Sequence, residues 1–148
     1  MPNIDYGTIH VYCDQWGLTK EQGNFWFKKH GEDAAAMNKP VIVEEFGWKD
    51  KSERADVYNE WFDIFEGNTY EGVEYAGTNY WMLASLTGDG TLYQDYDGYT
   101  VYYKGDANGN PTQDACNAIM AHAQRMDAKN TQNSVSPKKA NFDICLLY

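Results

Sequence analysis

The run Lys-Pro-Val-Ile-Val-Glu-Glu-Phe-Gly at residues 39–47 constrains the fold of this chain most. The β-branched stretch from Val41 to Val43 is typical of a buried strand, which begins after a proline and ends near a glycine. A buried strand has no structural need for two carboxylates at its end. Because successive side chains on a strand point to opposite faces, we expect Glu44 and Glu45 to enter different environments.

The alternation of side chains indicates which of the two carboxylates is functional. Glu45 shares a face with Val41 and Val43, whereas Glu44 shares the opposite face with Ile42. We therefore predict that Glu45 faces a functional cavity. Glu44 is expected to lie toward the helices, in a salt bridge.

The rest of the chain alternates predicted strands with predicted helices. The strands are expected at residues 7–12, 41–43 and 76–83, and the helices at 19–37, 52–67 and 112–126. Thr19 and Gln22 form a capping-box pattern, and Ser52 and Thr112 are candidate caps of the later helices. A glycine-rich loop is expected up to residue 103, with a small hairpin near 97–98. A turn is expected at 108–111, and residues 127–139 are expected to be unstructured.

Strands that alternate with helices imply right-handed βαβ units and a parallel sheet, whose ligands collect at the carboxyl ends of the strands. Several polar and aromatic residues fall at or just after these ends: His10, Tyr12, Trp16, Glu45, Trp48 and Trp81. Each also has a structural interpretation, since a strand His or Trp is often a core residue. Their common position at one edge of the sheet favours a binding or catalytic site.

Composition narrows the class of ligand. Twelve Tyr and five Trp suit saccharides, which stack on aromatic faces and hydrogen-bond to polar tips, although an aromatic-rich core would need the same residues. The net charge of −10 argues against nucleic acid as a partner. We predict no membrane-spanning segment, because no apolar run is long enough, and the first residues show no secretory signal.

The sequence gives no indication of a metal or a cofactor. Cys13, Cys116 and Cys145 lack metal-ligand spacing, and either one disulfide with a free thiol or three free thiols is possible. Asp95 and Asp97 could bind an ion or could be solvated turn residues. The helical residues His30 and His122 have no ligand partner at a suitable spacing, and we assign them no role.

Four blocks carry a resemblance to a known family: residues 8–17, 39–47, 79–84 and 97–103. In order and spacing they resemble the endo-β-1,4-mannanases of glycoside hydrolase family 5, over about residues 3–126. The resemblance implies an α/β fold, the carboxyl-terminal part of a (β/α)8 TIM barrel with about strands six to eight. It also implies secretion and hydrolysis of internal β-1,4 bonds of mannan with net retention, without a cofactor.

The resemblance also implies a role for each candidate residue. Glu45 matches the catalytic nucleophile, and His10 and Tyr12 match active-site hydrogen-bonding residues, with the Tyr positioning the nucleophile. Trp81 matches the Trp beneath the sugar that is attacked, and Trp16 matches a contact on the leaving side. Trp48 remains a candidate ligand contact from its position in a loop.

One catalytic residue of the family has no counterpart in this sequence. The family places its acid/base Glu in an Asn-Glu pair after the fourth strand, whereas the single Asn-Glu here, Asn59-Glu60, lies in a predicted helix. We therefore expect residues 1–126 to be part of a longer barrel, followed by a polar, unstructured tail at 127–148. The isolated chain is expected to be inactive and poorly soluble. Three alternatives remain: a non-catalytic carbohydrate-binding remnant, a fragment active after complementation, and an endo-β-1,4-glucanase of the same family.

Overall fold

The computed structural model of the chain describes residues 3–103 and 110–134. Their elements are, in order, β1 (Gly7–Val11), α1 (Lys20–Met37), β2 (Val41–Phe46), α2 (Arg54–Phe65), β3 (Gly77–Thr78), β4 (Leu83–Ala84), β5 (Val101–Tyr102) and α3 (Gln113–Ser134). The strands β1, β2 and β3 form one parallel sheet in that order, and β4 pairs with β5, also in parallel. The predicted alternation and the parallel sheet are thus confirmed.

The first helix begins and ends where the sequence predicts. The Thr19 hydroxyl accepts from the backbone N–H of Gln22 at 3.3 Å, and the Gln22 side chain accepts from the backbone N–H of Thr19 at 2.8 Å. This reciprocal capping box satisfies two N–H groups that a helix start would otherwise leave unpaired. Asn38 ends the helix in the left-handed conformation, with φ of 51°.

The predicted cap of the second helix is wrong. α2 begins at Arg54, and its N-cap residue, Glu53, makes no side-chain capping bond. The Ser52 hydroxyl instead donates to the Asp50 carboxylate at 2.6 Å, in the turn before the helix. The predicted apolar face is confirmed, and its residues are buried: Val57, Tyr58, Trp61, Phe62 and Phe65.

The core lies between the parallel sheet and the helices, and it is largely aromatic. Phe46, at the end of β2, is fully buried, and its ring lies 5.2 Å from Tyr58 and 5.6 Å from Phe65 between ring centroids. Burying each such side chain contributes about 1.5–3 kcal/mol. The aromatic-rich core that composition allowed is therefore present.

The third predicted strand is interrupted. Residues 76–83 form only β3 and the start of β4, although the intervening chain still follows β2, through the N–H of Asn79 to Val43 O (2.8 Å) and of Trp81 to Phe46 O (2.9 Å). Beyond Trp81 the chain leaves β2 and pairs with β5. The hairpin expected near 97–98 is replaced by an antiparallel bridge between Leu86 and Leu92.

The last helix extends beyond its predicted end at Met126. α3 continues to Ser134, so residues 127–134 are helical rather than unstructured. Lys129 explains part of this extension, since its ammonium donates to the backbone carbonyl of Glu66 and contacts the Glu74 carboxylate at 3.2 Å. Residues 135–148, with Cys145, and the first two residues of the predicted turn at 108–111 lie outside the described residues. None of the described helices is both long and apolar enough to cross a membrane.

Candidate active site

The two adjacent glutamates lie at an irregularity in the sheet. Along β1 and β2 the register pairs Ile9 with Val43, but the next pair is His10 with Glu45, so that Glu44 has no partner residue. An extra residue of this kind is a β-bulge, which re-aims the side chains that follow it.

The bulge brings both carboxylates to one imidazole. His10 Nε2 lies 3.2 Å from a Glu44 oxygen, and His10 Nδ1 lies 3.5 Å from Glu45 Oε2. Two expectations are therefore wrong: Glu44 does not lie toward the helices, and Val41 and Val43 belong to the buried core instead of sharing the face of Glu45. Strict alternation fails because the bulge inserts one residue between Val43 and Glu45.

Glu45 is held by two partners and remains accessible. Its side chain is 34% exposed, and its Oε2 accepts a hydrogen bond from the Tyr12 hydroxyl at 2.7 Å. Burial of Tyr12, together with the neighbouring Glu45 carboxylate, strongly raises the pKa of the Tyr12 phenol. Tyr12 therefore stays protonated at neutral pH and acts as a hydrogen-bond donor to Glu45.

Trp81 is fixed by a carboxylate that follows it in the chain. Its indole Nε1–H donates to Asp97 Oδ2 at 2.6 Å, and Asp97 Oδ1 accepts from the backbone N–H of Tyr99 at 3.0 Å. Asp97 is thus a structural partner of Trp81, which explains its presence better than ion binding does. Among the described residues, no group of three or more His, Cys, Asp or Glu could hold a metal ion.

An open cleft of about 480 Å³ lies beside Tyr12 and Trp81. Its lining is aromatic and polar: Tyr12, Gln15, Lys49, Trp81, Tyr96, Asp97 and Tyr99. Asp14 connects two residues of the cleft lining. It accepts hydrogen bonds from the Lys49 backbone N–H at 2.6 Å and from the Tyr99 hydroxyl at 2.9 Å. Aromatic faces next to hydrogen-bonding groups are the surfaces that bind sugar rings.

Trp16 and Trp48, both predicted to lie in loops, have different environments in the structure. Trp16 is 46% exposed and packs edge-on against Tyr12, with ring centroids 6.5 Å apart, which places it beside the cleft wall. Trp48 does not line the cleft. Its ring packs 6.0 Å from Trp61, and its indole N–H is buried without a protein partner. A sugar contact for Trp48 is therefore not supported.

Arg54 is a residue of the site that sequence reasoning missed. It is fully buried, and its guanidinium donates to Thr100 O at 2.8 Å, to Lys49 O at 3.0 Å, and to the carbonyls of Trp48 and Gly98 at 2.5 Å. These bonds join the loop after β2 to the loop before β5. No local sequence signal distinguishes Arg54 from an exposed arginine in the first turn of a helix.

The sequence is similar to those of several fungal enzymes. It is 35% identical over 106 residues to a probable mannan endo-1,4-β-mannosidase A of Aspergillus clavatus, covering 72% of this chain and 27% of that protein. It is 31% identical over 101 residues to mannan endo-1,4-β-mannosidase A of Podospora anserina, covering 68% of this chain and 26% of that protein. The chain spans about a quarter of the length of these relatives. No protein-family model matches it.

Solved structures show the same likeness in the fold. The endo-β-1,4-mannanase of Thermotoga petrophila superposes with a TM-score of 0.65 at 26% identity, covering 85% of this chain and 27% of that one. A glycoside hydrolase family 5 mannosidase of Rhizomucor miehei, at 18% identity, superposes with a TM-score of 0.58, covering 86% of this chain and 39% of that one. The predicted fold class, an incomplete part of a (β/α)8 barrel, is confirmed.

Proposed function

We propose that this chain, which resembles the endo-β-1,4-mannanases of glycoside hydrolase family 5 in sequence and in fold, carries the nucleophile half of a retaining β-mannanase site. Glu45 is the proposed nucleophile, and His10 and Tyr12 are its active-site partners. Trp81 and Trp16 are the proposed sugar contacts. The substrate class is β-1,4-mannan. Because such polymers lie outside cells, secretion is part of the proposal.

The observation that carries this proposal is the contact of Tyr12 and His10 with one oxygen of Glu45, beside an aromatic cleft. A nucleophilic carboxylate must be ionised, accessible and held in one orientation. The Tyr12 hydroxyl donates to Oε2, and the partial exposure of Glu45 leaves room for a substrate. Trp81 lines the same cleft, with its indole N–H held by Asp97.

The proposed reaction forms a glycosyl-enzyme intermediate. An oxygen of Glu45 attacks the anomeric carbon while the bond from that carbon to the leaving oxygen breaks and its electron pair departs with that oxygen. A general acid gives the leaving oxygen a proton, and a water activated by the same group later releases the sugar. In retaining enzymes the two carboxyl groups lie roughly 5–5.5 Å apart.

We do not propose Glu44 as the general acid of this reaction. A general acid needs a raised pKa, so that it still holds its proton near neutral pH. The hydrogen bond from His10, followed by one from Thr8, instead lowers the pKa of Glu44 below its ordinary value. We infer that the acid comes from outside the described residues, and that the isolated chain does not hydrolyse mannan.

A substrate that needs no acid tests the nucleophile directly. In 2,4-dinitrophenyl 2-deoxy-2-fluoro-β-mannobioside the leaving phenolate departs without a proton, and the fluorine slows hydrolysis of the intermediate. Incubation with the full chain should add one fluoromannobiosyl group, seen by intact-protein mass spectrometry. Glu45→Gln should abolish the adduct. Glu71→Gln makes the same chemical change at an exposed position and should leave adduct formation unchanged.

The exposure of Trp16 beside the cleft favours a second candidate function, a non-catalytic carbohydrate-binding remnant. In that case calorimetry would show mannohexaose binding, and the fluoro sugar would leave no adduct in the wild-type chain. Hydrolysis that appears only after mixing with a polypeptide that supplies the preceding strands would establish complementation. A glucanase of the same family would prefer carboxymethylcellulose to mannan in that mixture.

A further inference from the structure

We propose that Glu44 is a positioning residue for the nucleophile, acting through the imidazole of His10. This inference rests on the proposed role of Glu45. It concerns the bulge in β2, where an unpaired residue delivers a second carboxylate to the same side of the sheet. Neither the strand pattern nor the family resemblance gives Glu44 a part in the reaction.

The geometry of the His10 imidazole links the two carboxylates. The two ring nitrogens of His10 face different carboxylates: Nε2 lies 3.2 Å from Glu44, and Nδ1 lies 3.5 Å from Glu45. The first contact is within hydrogen-bond distance, and the second is a close approach that forms an ion pair only when the imidazole carries both protons. An imidazole held through Nε2 cannot rotate freely about its Cβ–Cγ bond, so Nδ1 stays directed at Glu45.

The contact between His10 Nε2 and Glu44 also specifies a hydrogen on the ring. An ionised carboxylate can only accept hydrogen bonds, so the contact with Glu44 requires a hydrogen on that nitrogen. The hydrogen bonds that lower the pKa of Glu44 show that its charged form is the one favoured by His10 and Thr8. Glu44 therefore fixes the hydrogen on Nε2. A partner of one ring nitrogen commonly sets the protonation state of the other.

The orientation of His10 affects how the nucleophile is held. The groups that face His10 in the described structure are Glu44 and Glu45 from β2, with Tyr12 bonded to the same Glu45 oxygen. Glu45 thus has one donor from Tyr12 and one nearby ring whose orientation depends on Glu44. If the ring turned away, Oε2 would lose its neighbour at 3.5 Å and would keep the bond from Tyr12. A loosely held nucleophile spends less time in the geometry for attack.

The histidine nitrogens provide a direct test of Glu44 that needs no substrate. The full chain contains only three histidines, so ¹⁵N-imidazole labelling gives a simple NMR spectrum, in which loss of one signal set in His10→Asn assigns His10. We expect the wild-type chain to show a hydrogen on His10 Nε2. Glu44→Ala removes the acceptor and should change the nitrogen shifts of His10. Glu44→Gln keeps an acceptor and should retain the wild-type pattern better than Glu44→Ala.

Trapping kinetics with the same fluoro sugar then separate positioning from binding. Glu44→Ala should slow adduct formation at saturating sugar by about tenfold, with little change in the concentration needed for half saturation. Glu44→Gln should fall between Glu44→Ala and wild type, and Glu71→Ala, the matched exposed change, should equal wild type.

Two results would overturn the role of Glu44. One is a His10 spectrum that is the same in wild type and Glu44→Ala, or that matches unfolded histidine in both. The other is an unchanged trapping rate in Glu44→Ala. If the wild-type chain forms no adduct while the spectra respond to Glu44 as expected, the proposed function fails and the contact of Glu44 with His10 stands.

Discussion

Glu44 and Glu45 show how much one inserted residue changes at the scale of single side chains. In a regular strand they would point to opposite faces of the sheet, yet both contact His10. The bulge that allows this depends on how β2 pairs with β1, which lies more than 30 positions away in the chain. Alternation along one strand singles out Glu45 because it would share a face with Val41 and Val43. In the structure those valines belong to the core, and the bulge sets the direction of Glu45.

The two tryptophans Trp81 and Trp48 should differ in what their replacement does. Trp81→Ala removes one of the aromatic rings that line the cleft and should weaken mannohexaose binding by roughly tenfold, measured by calorimetry. Trp48→Ala should leave that affinity within about twofold and should instead lower the free energy of unfolding by about 3 kcal/mol, because its ring packs against Trp61. Equal losses of affinity in both variants would contradict this assignment.

At the scale of elements, the cleft depends on the buried guanidinium of Arg54, which does not line it. Arg54, at the start of α2, joins two loops through backbone carbonyls, and one of these loops carries Asp97, the partner of Trp81. The helix thus fixes the wall of the cleft without lining it. A buried guanidinium with five N–H donors suits this task, since no other side chain offers as many donors in a rigid fork.

Replacing Arg54 should therefore affect both stability and the cleft. Arg54→Met keeps the length of the side chain but leaves several buried carbonyls without donors, each at a cost of about 1–3 kcal/mol. We expect the free energy of unfolding in urea to fall by at least about 3 kcal/mol. Arg54→Lys keeps the charge but offers fewer donors, and should lie between Arg54→Met and wild type. A loss below about 1 kcal/mol for Arg54→Met would argue against this role.

The elements differ in how far the sequence predicts them. α1 follows from Thr19 and Gln22 because a capping box is local, with both partners inside one helical turn. The Ser52 cap is wrong because Asp50 competes for the same hydroxyl. The contacts of Arg54 with residues 98–100 cannot be read from the sequence, since they join positions far apart in the chain.

At the scale of the whole molecule, a buried cluster links the sheet to the last two helices. Glu66, at the end of α2, contacts His122 at 2.7 Å and Arg125 at 2.8 Å, and the other nitrogen of His122 lies 2.8 Å from the Thr78 hydroxyl. The role of His122 could not be predicted from the sequence, because its partners come from other elements. This cluster does not line the cleft beside Tyr12 and Trp81.

The cluster predicts loss of stability in acid. Burial lowers the pKa of His122 despite its bond to Glu66. Burial would raise the pKa of Glu66, but its bonds to Arg125 and His122 outweigh burial and lower it. Both pKa values are lower in the folded chain than in the unfolded chain. The unfolded chain therefore binds more protons, and the free energy of unfolding decreases as the pH falls.

We expect the free energy of unfolding to decrease below pH 6.5, the ordinary pKa of His, and further below pH 4.5, that of Glu. Urea unfolding at a series of pH values measures this. Glu66→Gln, which removes the titrating carboxylate, should flatten the decrease below pH 4.5. An unchanged pH dependence in that variant would show that other groups cause the loss.

We propose that Glu45 forms a glycosyl-enzyme without a general acid from the described residues. Stopped-flow absorbance with 2,4-dinitrophenyl β-mannobioside tests it most directly, because the phenolate is released when the sugar is transferred to the enzyme. Because none of the described residues is proposed as the base that activates water, we expect a burst of about one phenolate per chain followed by very slow turnover. The absence of a burst, or an equal burst from Glu45→Gln, would contradict it.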